Sequence, residues 1–213
     1  MRHTIALFVA HPYCSTDSAN GIMRALDGGY RFKLFSADTV EDDFFDDVDM
    51  IAVPGGIGDA DNYHRIMGPT QARIREFVAN GGAFLGICMG AYWAGSSYLD
   101  ILDGVDADQY ITRQDTCTRR PHPKGMPVTW NGVEENMYFY DGCALFGNKR
   151  KFKTIATYSN GDAMAIQQKR IGLIGCHPES TRHWYKQHAW MEKHWHRGRH
   201  HKLLREFVDQ LLV

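Results

Sequence analysis

Ala83-Phe84-Leu85-Gly86-Ile87-Cys88-Met89-Gly90 is the stretch on which the fold turns. Residues 83–87 are a short apolar run following Gly81-Gly82, which reads as a strand buried on both faces. Gly86-Ile87-Cys88-Met89-Gly90 then sets a nucleophilic side chain between two glycines at a strand-to-helix turn. That is the sequence form of a nucleophile elbow. Such a turn projects the Cys88 thiol above the C-terminal edge of a sheet. A helix beginning beside it points its amides at the sulfur and favours the thiolate. The Met89 N–H is then placed where an oxyanion would form.

Upstream of the elbow, strand and helix signals alternate. Residues 4–10 form an apolar strand, and Thr16 or Asp17 can cap a helix ending near Gly28-Gly29. Residues 30–36 alternate as a second strand, and residues 49–53 make a third that stops at Pro54-Gly55-Gly56. Pro69 suits a helix start and Gly81-Gly82 a helix end, with Ile74, Phe77 and Val78 on one apolar face. This order predicts right-handed βαβ units and a mostly parallel sheet covered on both faces.

Downstream, shorter strands are expected at 127–130, 136–140, 152–158, 163–168 and 171–176. Asn131-Gly132 and Asp141-Gly142 supply tight turns. The tail from 181 to 213 reads as helical, with Leu203, Leu204, Phe207, Val208, Leu211 and Leu212 on one face. Trp184, His188, Met191 and Trp195 make an earlier helix-spaced stripe. One domain over residues 1–213, tail included, is the expected organisation.

The chemistry needs partners for Cys88. The late strand 171–176 runs directly into His177-Pro178-Glu179. A thiolate nucleophile needs a base to take and return a proton, and that base needs an orienting acceptor. His177 and Glu179 supply both. Gly56, at the end of the third strand, offers a second oxyanion N–H beside that of Met89.

These motifs in this order, PGG at 54–56, GICMG at 86–90 and HPE at 177–179, resemble the class I glutamine amidotransferase superfamily. The resemblance implies a three-layer α/β/α sandwich with a mostly parallel central sheet and a Cys88-His177-Glu179 triad. The residues around the motifs are most similar to the amidotransferase-like N-terminal domain of biotin–protein ligases. They are Gly86 to Tyr92, Asn131-Gly132, Gly142 to Phe146 and the strand into HPE. Gly55 and Tyr92 become substrate-contact candidates. Tyr92 is a departure, because glutaminases of this class usually carry glutamine there. The implied function is a stand-alone, thiol-dependent amide or acyl hydrolase. The alternative is a non-catalytic module that binds a ligand or partner and regulates. A related superfamily of intracellular peptidases and chaperones fits less well, since histidine commonly follows its elbow cysteine and Met89 stands here.

Other features limit the reading. A net charge of -1 provides no global field for nucleic acid, and no apolar run reaches the roughly 20 residues of a membrane span. Five widely spaced cysteines form no CxxC pair, so a reducing cytoplasm is expected, with no disulfide framework. Seven of the 11 histidines lie in the last 37 residues. Apart from His177 they read as the surface of a helical tail rather than a metal site. No metal or cofactor is expected. The expected partner is a small amide or acyl substrate, and the tail is the candidate surface for self-association or a partner protein. The seven acids of segment 38–49 read as a solvated loop, and the basic segment 112–125 as an exposed loop at the sheet edge.

Overall fold

The structure, a computed structural model, describes residues 2–213. Eleven strands form one mixed sheet in the order β2-β1-β3-β4-β11-β10-β9-β6-β7, with β8 pairing β10 and β5 pairing β8. The strands are β1 (Thr4–Phe8), β2 (Arg31–Phe35), β3 (Met50–Val53), β4 (Ala83–Ile87), β5 (Val105–Gln109), β6 (Lys124–Trp130), β7 (Val133–Phe139), β8 (Cys143–Gly147), β9 (Lys153–Tyr158), β10 (Ala163–Gln168) and β11 (Ile171–Ile174). From β2 to β11 every neighbour pair is parallel, and beyond β11 every pair is antiparallel. β1, β3, β4 and β11 are wholly buried, as continuous apolar runs in a doubly covered sheet should be.

Among the described residues six α-helices accompany the sheet: α1 (Thr16–Ala25), α2 (Ala60–Ile66), α3 (Gln71–Ala79), α4 (Met89–Trp93), α5 (Arg182–Lys186) and α6 (Arg199–Leu212). The β4–β11 register shows which face each covers. Gly172 pairs with Leu85 and approaches Leu211 and Phe207 of α6. Leu173 pairs with Gly86, which approaches Gly90 of α4. Consecutive residues of a strand face opposite ways, so α6 and α4 lie on opposite faces. The result is the three-layer α/β/α arrangement. No helix among the described residues is long and apolar enough to cross a membrane.

Several expectations are corrected. Helix α1 is capped by Ser15, whose side chain accepts from the Ser18 amide at 3.1 Å, not by Thr16 or Asp17. Pro69 sits in a single 3-10 turn (Gly68–Thr70) that leads into α3. Strands β5 and β8 and helix α2 lie in segments that the periodicity left blank. The tail is not helical throughout. It breaks after α5, forms a 3-10 turn at Glu192–His194, and restarts after Arg197 and Gly198, both at positive φ. Trp184, His188, Met191 and Trp195 therefore share no helical stripe. Trp184 and Met191 are buried with Tyr138 and Tyr185 in a small cluster of their own.

Two tail histidines are interior rather than surface groups. His196 and His200 are buried, and His200 meets the buried Glu135 carboxylate at 3.1 Å. His196 Nδ1 accepts from the Gly198 and His200 amides at 3.1 and 3.3 Å, which caps the start of α6. Its Nε2 donates to the Ser180 carbonyl at 3.0 Å, so the ring is neutral in one fixed tautomer. Burial first, then the neighbouring His200, holds it down at about 3. A histidine lowered from 6.5 supports the fold fully above pH 6.5 and loses that support as the pH falls toward 3. This one group should cost about 1.4 kcal/mol per pH unit in that window. Chemical denaturation at pH 7.5 and 4.5 checks it: the pH difference in stability should shrink by about 2–3 kcal/mol in His196→Asn.

Candidate active site

The site lies at the C-terminal ends of the parallel strands. Cys88 follows β4 and precedes α4, with φ 50° and ψ -106°. Its amide donates to Ile174 O at 2.8 Å, which ties the elbow to the end of β11. A non-glycine residue in this conformation is held against strain of about 1–3 kcal/mol. The positive φ thus falls on the cysteine itself. The flanking glycines serve close packing: a Cβ at Gly86 would lie 2.6 Å from Gly90 O, and one at Gly90 would lie 2.1 Å from Val53 O.

His177 and Glu179 leave β11 as its continuation and are both buried. His177 Nδ1 lies 2.8 Å from Glu179 Oε1. The His177 amide donates to Tyr138 O at 2.8 Å, which aligns this turn with the end of β7. Tyr138 and Trp184 pack against the imidazole, with ring centroids 6.0 and 5.3 Å away. Burial alone pushes the imidazole down, but the Glu179 carboxylate and the Cys88 sulfur outweigh it and raise His177 to about 10. The resting Cys88 Sγ is directed at the Tyr140 carbonyl, 3.7 Å away.

Two residues of this network carry no sequence signal. Ser18, fully buried on α1, donates to Glu179 Oε1 at 2.6 Å and accepts from the Gly55 amide at 3.0 Å. It joins the carboxylate behind His177 to the PGG loop in front. Gly21, one turn later, lets α1 approach Glu179: a Cβ there would stand 2.5 Å from the Glu179 carbonyl oxygen. Glu179 Oε2 is buried without a hydrogen-bond partner, so the carboxylate depends on the two donors at Oε1. Ser18→Ala removes one donor and strands the Gly55 amide. Chemical denaturation should show a loss of about 1–3 kcal/mol. If Ser18 positions Glu179, the pH at which His177 titrates by NMR should move as well.

The remaining expected site residues line the same cavity of about 570 Å³, which Gly55, Gly56, Met89 and Tyr92 share with Cys88 and His177. That volume suits a small ligand. Neither the Gly56 nor the Met89 amide has an acceptor within the described residues. Gly55 differs, since its amide is held by Ser18. Tyr92 spends its hydroxyl on the Asp141 carbonyl at 3.2 Å and presents its ring to the cavity. Arg113, Arg119, Arg120, His122 and Lys124 of the 112–125 segment do not line the cavity. Among the described residues no group of three His, Cys, Asp or Glu side chains is placed to hold a metal ion.

Known proteins share this fold. Residues 12–101 match the family model "Biotin-protein ligase, N terminal", a stretch that includes the PGG and GICMG motifs and ends before HPE. A protein of uncharacterised function from Chlamydia muridarum is 41% identical over 54 residues, which are 25% of this chain and 20% of the relative's length. The match thus spans only about a fifth of that curated relative. A solved glutamine amidotransferase superposes with a TM-score of 0.67 at 15% identity, covering 98% of both chains. A glutamine amidotransferase from Thermotoga maritima gives 0.64 at 12% identity, covering 100% of this chain and 94% of the other. The chain has the class I glutamine amidotransferase-like fold and, over residues 12–101, is similar to the N-terminal region of biotin–protein ligases.

Proposed function

We propose that this chain is a thiol-dependent amide or acyl hydrolase working through Cys88, His177 and Glu179. The observation that carries the reading is that Cys88 and His177 meet at one cavity, with Glu179 bonded behind the imidazole. There a strained elbow cysteine stands beside a buried histidine bonded to a buried carboxylate. The Cys88 thiolate attacks the substrate carbonyl carbon, and the Gly56 and Met89 amides receive the oxyanion. The C–N bond breaks as His177 gives its proton to the leaving nitrogen, leaving a thioester on Cys88. Water, deprotonated by His177, then cleaves the thioester to a carboxylate and restores the thiolate. Glu179 holds the imidazole in the productive tautomer throughout.

Incubation with amide substrates followed by rapid acid quench and peptide mass spectrometry tests the scheme. A thioester on the peptide carrying Cys88, lost on hydroxylamine treatment, is the expected product. Turnover that survives Cys88→Ala would contradict it. The direction of the Cys88 thiol toward Tyr140 O favours a second reading, in which the cavity binds a ligand without turnover. Saturable binding of a compound that never acylates Cys88 would support that reading instead.

A further inference from the structure

The charge inventory of the cavity over Cys88 is one-sided. Asp17, Asp59 and Asp141 line it, and no lysine or arginine does. The His177 imidazolium is paired with the Glu179 carboxylate at 2.8 Å, so these three carboxylates set the sign of the local field. Three cations of the 112–125 segment are engaged elsewhere. Arg113 pairs with Asp162 at 3.1 Å, Arg119 donates to the Ile111 and Arg113 carbonyls, and Lys124 donates to Thr118. A substrate bearing a carboxylate, free glutamine included, would find no lysine or arginine here and would meet like charge.

The walls suit the opposite sign. Tyr138, Tyr140 and Trp184 line the cavity together with Tyr92. Tyr138 and Trp184 meet edge to face, with centroids 5.0 Å apart. Aromatic faces next to carboxylates favour ammonium and guanidinium groups. In the proposed reaction the acyl group would sit at the cavity floor, over the buried Cys88 and the unpartnered Gly56 and Met89 amides. We infer that the substrates are amides that carry a cationic group, such as a lysine side chain or an aliphatic diamine, and that anionic amides are excluded. The inference rests on Cys88 being the nucleophile of this cavity.

Methanethiosulfonates of matched size test it, because the reaction is the same for each. The thiolate attacks the sulfenyl sulfur, a disulfide forms, and methanesulfinate leaves. Rates at Cys88 are measured at low ionic strength with the trimethylammonioethyl, sulfonatoethyl and neutral methyl reagents, and each is compared with a free small thiol. The cation-to-anion rate ratio at Cys88 should exceed that of the free thiol by about tenfold or more, and the excess should shrink with added salt. In Asp17→Asn/Asp59→Asn/Asp141→Asn it should fall at least threefold. Asparagine can keep the helix cap that Asp59 provides and the positive φ of Asp141. A ratio equal to or below the free thiol's, or one unchanged in the triple variant, overturns the inference while fast reaction with the neutral reagent leaves the nucleophile standing. Failure of Cys88 to react even with the neutral reagent overturns both.

Discussion

Replacing His177 with glutamine should lower turnover at Cys88 by about 10²–10⁴-fold while leaving the chain folded. Glutamine can still reach Glu179 and fill much of the space between Tyr138 and Trp184, but it can neither take nor return a proton. In the native chain the buried Glu179 and the adjacent sulfur hold His177 up at about 10, so the imidazole keeps its proton through the neutral range. The imidazole loses that proton as the pH rises through about 10. A thiolate held by the His177 cation, as the proposed mechanism requires, should make alkylation of Cys88 change less between pH 7 and 9 in the native chain than in His177→Gln. In His177→Gln it should climb steadily with pH over the same interval. Stopped alkylation followed by peptide mapping distinguishes the two profiles. A shared profile would mean that His177 does not act on the sulfur.

The second large effect is structural. Gly90→Ala places a Cβ 2.1 Å from Val53 O, a backbone atom of a buried central strand that cannot yield as a side-chain tip would. Helix α4 would have to lift from β3, carrying the elbow with it. Overpacking of this kind should cost about 3 kcal/mol, or roughly 6–12 °C in melting temperature for a chain of this size. Gly68→Ala is the control. A Cβ there meets nothing within 4 Å, and the melting temperature should stay within about 1–2 °C. Scanning calorimetry of both variants separates close packing at the elbow from a general cost of replacing glycine.

The parallel half of the molecule was legible because its strands are short, apolar and punctuated. Strand β4 runs from Ala83 to Ile87 as its apolar run indicates, and the turns at Pro54 and Gly86 to Gly90 stand out in the sequence. The positions of Cys88, His177 and Glu179 followed from motifs placed at strand ends. Strand β5 was not legible. Its residues, Val105-Asp106-Ala107-Asp108-Gln109, are mostly polar and only partly buried, so they offer no alternation to read. The tail read as helical throughout because periodicity does not register the positive φ adopted by Arg197 and Gly198.

The supporting network of the site was hidden for a different reason. Ser18 resembles any small polar residue in the first turn of a helix, and Gly21 any tolerated helical glycine. Their roles exist only because α1 lies against Glu179, 161 residues distant from Ser18 in sequence. The same is true of Tyr138 and Trp184, which come from separate elements and meet at His177. The tail histidines were misread by composition. His196 and His201 both reach the Ser180 carbonyl at 3.0 Å, immediately after Glu179, so part of the histidine-rich tail braces the HPE turn from behind.

Competition among the five cysteines for a neutral alkylating agent tests the central claim most directly. Cys117 is exposed, whereas Cys88 is only 7% exposed. Burial pushes the thiols of Cys14, Cys143 and Cys176 up, which makes them slow. With iodoacetamide at pH 7 and peptide mapping of partial reactions, Cys88 should be modified before the far more accessible Cys117, and that order should reverse in His177→Gln. Modification in order of exposure alone, with Cys117 first in the native chain, would contradict an activated nucleophile at the elbow.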